Sequence, residues 1–538
     1  MLTKDEQSNL RSDLFRHLDG IVISPAAFVL HRSGLLEYVL SKGSTTLSEL
    51  SEKFKANEGY LNVGLRLFCS QGWLDQEVDN EKDIITFSIN ERSATAFESA
   101  PAYEGVFLLM QMGDKYHDRK FEVEPFLALE KLFQKFKTDM GMAPSEDAGK
   151  ERIRQQILKH IEGVILGPTL VKLAMSGMFH KYFMQASFKA EEFHQDAENF
   201  ERLLDILTHF GWFQKKERTY RFTDKGLFFA RRASAYGVTV SYLPTLRKLD
   251  HLIFGDALAA KRSGDEHREG HVDRAMNVWG SGGAHAAYFK IVDEIVIELF
   301  NRPIEEQPKG ILDMGCGNGA FIEHLYHVIE SRTRRGEMLE EHPLILVGAD
   351  FNEAALNITK ANLIQADIWA KVVFGDIGDP TGLAHQLMDD YGIALGDLLN
   401  VRTFLDHNRM WKAPQHIDED RVSSSTGAYA FEGKRIKNNL IEDSLLEHFK
   451  AWRPFVERFG LLLIELHTVD PSLVAENLGK TPATAYDATH GFSDQYIVEV
   501  DVFHKILKES GLMLDKARFR KFPDNGIATV TVNLFRAE

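Results

Sequence analysis

The chain has 538 residues, 44% of them hydrophobic, enough to bury more than one core, and its length points to roughly three or four domains. Lys and Arg number 63 against 79 Asp and Glu; the formal charge of -16 argues against a general polyanion binder, so nucleic acid is not an expected partner. Cys69 and Cys316 lack metal-ligand spacing and make no disulfide framework, "MLTKDEQSNLRSDLF" is charged where a signal peptide is apolar, and no run approaches about 18 apolar residues, which together predict a cytoplasmic protein with no membrane segment.

The first half repeats itself. "HLDGIVISPAAFVLHRSGLLEYV" from His17 is answered by "HIEGVILGPTLVKLAMSGMFHKYF" from His160, so that His17, Gly20, Pro25 and Gly34 fall on His160, Gly163, Pro168 and Gly177. Farther on, "CSQGWLDQ" is answered by "THFGWFQK", matching Gly72 and Trp73 with Gly211 and Trp212. Self-similarity of this kind marks two copies of one unit, expected over residues 1–140 and 150–260. Each copy reads as a long amphipathic helix, a shorter helix near "STTLSELSEKF" or "FKAEEFHQDAENF", a third helix ending at Gly-Trp, and a hairpin containing "IITFSINERS" or "TYRFTDKGLFF".

Three helices and a wing form a winged-helix pattern, which in other proteins places a helix in the DNA major groove. Here the third helices, "EGYLNVGLRLFCSQGW" and "AENFERLLDILTHFGW", carry few basic and many apolar residues, so they are expected to pack or dimerise. A homodimer and an internal pseudo-dimer both satisfy that pattern. "KFKTDMGMAPSEDAGKER" and "AAKRSGDEHREGHVD" read as linkers or exposed loops.

From Lys309 apolar runs alternate with helices, the signature of an α/β domain with a parallel sheet. "KGILDMGCGNGAFIEHLY" predicts a strand, a glycine-rich turn and a helix, and Gly315, Gly317 and Gly319 remove the Cβ atoms that would keep a ligand from the helix N-terminus. A second strand, in "PLILVGADFN", ends at Asp350, where a carboxylate can accept both hydroxyls of a ribose; a third, in "KVVFGDIGDP", ends at Asp376. A nicotinamide fingerprint wants Gly-x-Gly-x-x-Gly, and here the third glycine comes one residue early.

The series Asp313-x-Gly-x-Gly-x-Gly, then an acidic residue at a second strand end, then Gly-Asp at a third, resembles the S-adenosylmethionine-dependent methyltransferases. The resemblance implies a Rossmann-like seven-stranded domain over residues 274–538, preceded by the two winged-helix-like, mainly α repeats; these look like the N-terminal dimerisation domains of small-molecule O-methyltransferases. It also implies that Gly315, Gly317 and Gly319 flank the cofactor's amino-acid end, that Asp350 holds the ribose and that Asp376 lies near the adenine, with Asp313, Phe351 and Ile377 completing the set.

Within that fold "GDLLNVRTFLDHNR" is the fourth strand, and His407 at its C-terminal end projects into the reaction chamber. "FGLLLIELHTVD" supplies His467, and "YDATHGFSDQYIVEVDVF" supplies His490, Ser493 and Gln495 just before a predicted helix. Imidazole and carbonyl ligands converging there suit Fe(II), Mn(II) or another divalent ion with open positions. "FLDHNR" paired with "THGFSDQY" is similar to the metal-dependent C-methyltransferase domains of bacterial polyketide synthases. That similarity implies methylation at the α-carbon of a malonyl-type or β-keto thioester on an acyl carrier protein, with His407 and Gln495 as metal ligands and His407, His490 and Asp406 as the catalytic set.

The runner-up is a metal-free O-methyltransferase of a small aromatic molecule with His407 as general base. Two other stretches bear on the site. Residues 410–440 read as an insertion, a lid whose cations, among them Lys434, Arg435 and Lys437, meet a phosphopantetheine phosphate or an acidic carrier. In "VWGSGGAHAAYF" the glycines allow close backbone approach, and His285 opens a helix over the cofactor.

Overall fold

The computed structural model describes residues 2–112, 123–181, 186–261 and 270–538, apart from the side chains of residues 123 and 283–287. Its contacts divide the chain into two units. One comprises Met1–Ala284, Ala430–Arg435 and Asp470–Ser493; the other comprises His285–Tyr429, Ile436–Val469 and Asp494–Glu538. Three stretches within the expected methyltransferase region, residues 274–284, 430–435 and 470–493, are thus counted with the N-terminal half.

The first unit is built on two long helices, Lys4–Arg32 and Ala148–Met175, started by a capping box at Thr3 and a side-chain cap at Asp147. They cross at the repeat's matched glycines. A Cβ added to Gly20 would sit 2.3 Å from the Cα of His160, and one added to Gly163 would sit 2.5 Å from the Cα of His17. Only hydrogen fits there. The matched histidines make matched bonds, His17 Nδ1 to the Tyr236 hydroxyl and His160 Nδ1 to that of Tyr103, each 2.8 Å. The two copies therefore pair with each other inside one chain.

Each third helix, Glu58–Ser70 and Ala197–His209, stops at a glycine in the left-handed region, Gly72 at φ 74 and Gly211 at φ 77. A wing follows in both copies. Strands β1 (Ser44–Thr46), β2 (Asp75–Asp79) and β3 (Ile84–Ser88) form a sheet in the order β1-β3-β2, and β4 (Phe213–Lys216) pairs with β5 (Thr219–Phe222). Helix Arg274–Phe300 is continuous, so His285 lies inside it and does not open it; the His285 side chain is outside the described residues. Of the nearby glycines, Gly280 serves packing, since a Cβ on it would meet the Val238 nitrogen at 2.6 Å. Residues 262–269, in the second expected linker, also fall outside the described residues.

The second unit carries the large sheet. Strands β6 (Gly310–Met314), β7 (Ile345–Asp350), β8 (Lys371–Phe374) and β9 (Leu398–Thr403) come first; β10 (Tyr429–Phe431) and β11 (Lys434–Ile436) form a separate hairpin. Then come β12 (Leu461–Leu466), β13 (Leu512–Leu514), β14 (Arg520–Phe522) and β15 (Val530–Ala537). The order is β13-β15-β12-β9-β6-β7-β8, with β14 added on β15 as an eighth strand beyond the seven expected. Strands β6 to β9 and β12 run parallel, and β15 is antiparallel to β12. From central β6 the chain proceeds outward to β7 and β8, then returns to β9 on the other side. That reversal opens a crevice at the strands' C-terminal ends, where ligands of open α/β sheets bind.

The stretch leading to the hairpin is anchored. Arg421 pairs with Asp443 at 2.6 Å and Glu509 at 2.8 Å, Ser423 with Glu442 at 2.5 Å, and the Thr426 backbone N–H donates to Glu499 at 2.8 Å. Among the cations expected to face a phosphate, Arg435 is already engaged in the first unit by Asp83 at 2.6 Å and Glu58 at 3.3 Å.

Candidate active site

Strand β6 runs into the turn Gly315-Cys316-Gly317-Asn318-Gly319 and then helix Ala320–Arg332, with all three glycines at positive φ. A Cβ on Gly317 would meet nothing within 4 Å, so open space lies against that backbone. The turn is held from outside. Gly317 N–H donates to one oxygen of Asp350 (3.0 Å), Asn352 N–H donates to the other (2.8 Å), and Thr359 donates to the Gly317 carbonyl (2.9 Å). Asp350 thus ties the turn to the end of β7 while keeping lone pairs for a hydroxyl.

Beside it, Phe351 and Phe374 are 58% and 51% exposed with ring centroids 5.3 Å apart, an apolar platform at the ends of β7 and β8. Asp376 lies two residues past β8, and its carboxylate accepts the Gly378 N–H at 2.8 Å; Ile377 is buried and its carbonyl takes the indole N–H of Trp452 at 2.8 Å. Asp313 is buried in β6. Burial, reinforced by the charge of Asp350, pushes its carboxyl up to about 8. An open glycine turn at a helix N-terminus, a carboxylate and an aromatic platform fit an adenosyl cofactor with a charged amino-acid end.

The second cluster forms where β9 and β12 end. His407 is buried, and its Nδ1 lies 2.5 Å from Glu465 Oε1. The same carboxylate accepts the backbone N–H of Leu466 (2.7 Å) and of Asp406 (3.0 Å). Glu465 accepts the hydrogen bond of Nδ1–H, which leaves the lone pair of the imidazole on Nε2. Asp406 is bound by Arg402 (2.6 Å) and His448 (2.8 Å). Burial opposes its charge, but Arg402 and His448 outweigh burial and hold the carboxyl below its ordinary range. Asp406 is therefore a structural anion under His407. The Arg402 guanidinium in turn lies 3.9 Å from the centre of the Trp452 ring.

The backbone just past Gln495 meets the same strand end: the N–H of Tyr496 donates to the His407 carbonyl at 2.8 Å. His407, Arg409, Glu465, Tyr496, Val498 and Phe503 line a small cavity with room for about one water-sized group. Two other expected groups have ring nitrogens engaged within their own units. His467 has both ring nitrogens engaged, by the Val498 carbonyl (3.0 Å) and the Thr531 hydroxyl (2.7 Å), and burial takes it down to about 3, so it is a core histidine and not a metal ligand. His490 sits inside helix Ala483–Gly491 of the first unit, with the expected helix following as Val500–Glu509, and its Nδ1–H donates to the Tyr486 carbonyl at 2.8 Å.

No group of three or more His, Cys, Asp or Glu side chains suited to a metal occurs among the described residues. Glu465 on one ring nitrogen of His407 is the usual companion of a ligating imidazole, so His407 itself has the chemistry of a metal ligand. Glu465 escaped the sequence reading. Its signal was present in "LLLIEL", a strand buried throughout, where a lone carboxylate must find strong partners.

Residues 269–533 match the family described as AprA MT2-like domain, residues 162–256 the AprA winged helix domain and residues 10–76 the AprA N-terminal domain. No curated protein matches the chain. Among solved structures, the mitomycin 7-O-methyltransferase MmcR is 11% identical with a TM-score of 0.38, covering 73% of this chain and 99% of its own. For the CurJ carbon methyltransferase the values are 13%, 0.32, 69% and 92%. CalO1, a methyltransferase in calicheamicin biosynthesis, gives 16%, 0.38, 72% and 98%. The MT2-like match spans the glycine turn, Asp350 and His407 together, so the chain carries a methyltransferase domain over residues 269–533, a region similar to the AprA MT2-like domain.

Proposed function

We propose that this enzyme moves the sulfonium methyl group to the α-carbon of a malonyl-type or β-keto acyl thioester on an acyl carrier protein, in polyketide-like biosynthesis. The supporting observation is the pairing of His407 with Glu465, next to the bond from the Tyr496 backbone N–H to the His407 carbonyl. An orienting carboxylate makes His407 Nε2 a fixed lone pair, and burial keeps water from competing for it. His407 and Gln495 would hold a divalent iron or manganese ion, which supplies positive charge that acidifies the α-hydrogen of a 1,3-dicarbonyl. Glu465 fixes the imidazole, the Asp406 backbone N–H fixes Glu465, and the glycine turn with Asp350 positions the donor.

A second reading rests on the same carboxylate-bound His407: the imidazole acts as general base on the hydroxyl of a small aromatic molecule. Elemental analysis and a carrier-protein methylation assay separate the two. Near-stoichiometric iron or manganese is expected, lost in His407→Ala and Gln495→Ala, with a C-methylated thioester as product. Glu465→Gln should lower metal affinity or activity by about 10–100-fold. Should His407→Ala keep both metal content and thioester methylation, the C-methyltransferase reading falls; chelator-resistant activity on hydroxylated aromatics would favour the second.

A further inference from the structure

Arg409 is a cation for which the fold supplies little. It is 5% exposed and lines the cavity with His407, Glu465 and Tyr496. Nη1 donates to the Asp406 carbonyl at 3.0 Å, the guanidinium lies 5.9 Å from the centre of the Tyr496 ring, and Nη2 is buried without a hydrogen-bond partner. Among the described residues no carboxylate lies within ion-pair distance of it. The nearby anions are committed: Asp406 to Arg402 and His448, Glu465 to His407 and two backbone N–H groups. A guanidinium stays charged even when buried, and leaving one unpaired away from water is costly.

We propose that Arg409 receives a carboxylate beside His407, one oxygen entering the cavity. This rests on the thioester methylation proposed above, and where the carboxylate is the substrate's it narrows the acyl class to groups that bear one, as malonyl does and a simple β-keto acyl does not. Two ligands at this site carry that chemistry: the acyl substrate and the methionine end of the donor. A planar fork with a free N–H suits a carboxylate better than a thioester carbonyl, because a charged acceptor offsets the buried charge.

Calorimetry on the full chain distinguishes the sources without relying on turnover. Wild type, Arg409→Met and Arg409→Lys are titrated with malonyl-pantetheine, with acetyl-pantetheine as the neutral analogue, and with S-adenosylhomocysteine. Arg409→Met should weaken a carboxylated ligand by about tenfold or more while acetyl-pantetheine binding changes little, and Arg409→Lys should recover part of the loss. Loss confined to malonyl-pantetheine assigns the substrate carboxylate; loss confined to S-adenosylhomocysteine assigns the donor's. Equal weakening of malonyl- and acetyl-pantetheine, or wild-type binding of every ligand by Arg409→Met, overturns the proposal. If the Arg409-dependent binding is found but no methyl reaches carbon, the site stands and the reaction assigned above falls.

Discussion

At the scale of single residues, the site is governed by where buried charge finds its partner. Glu465 and Asp406 lie side by side at the ends of β12 and β9, yet one orients an imidazole and the other is consumed by Arg402 and His448. The sequence reading singled out Asp406 and His407 because four polar residues follow an apolar run; it could not divide their roles, since a carboxylate's role follows from partners far along the chain. Asp313 shows the opposite balance. With no cation to offset burial and the charge of Asp350 nearby, its carboxyl is raised to about 8. A raised folded-state value means stability present below the unfolded value near 4 and lost as pH rises through about 8. Asp313→Asn should therefore flatten the fall in urea-denaturation midpoint between pH 4 and pH 8; an unchanged slope would assign the pH dependence elsewhere.

Among elements, the repeat was readable because its glycines, prolines and histidines recur in register, and the structure gives the recurrence a cause. The long helices approach so closely that Gly20 and Gly163 each face the other helix's backbone. Gly20→Ala must push the helices apart, at a cost of about 1–3 kcal/mol or more, measurable by urea denaturation; Gly163→Ala should cost a similar amount, because the contact is reciprocal. Strands β7, β9 and β12 were also legible, as buried parallel strands read as continuous apolar runs. The helix Ala483–Gly491 was not: "ATAYDATHG" has no clear helical stripe, because it is buried nearly all round and its polar residues are paired internally, Asp487 with Arg66 at 2.9 Å.

For the molecule as a whole, two units with separate cores should not melt as one. Differential scanning calorimetry is expected to show more than one transition, and S-adenosylhomocysteine at about 100 times its dissociation constant should stabilise only the unit with the glycine turn, by about 2.7 kcal/mol. A single transition shifted as a whole would mean that the units unfold together. Local pattern was enough to establish two repeats, a parallel sheet and a donor-binding turn, because periodicity, glycine spacing and strand-end carboxylates are properties of adjacent residues. Tertiary structure alone assigned residues 430–435 and 470–493 to the N-terminal unit, engaged both ring nitrogens of His467 in the core, and paired His407 with Glu465. Those outcomes depend on which buried polar atoms meet across dozens of residues, and desolvation energy decides such meetings only once the chain has closed around them.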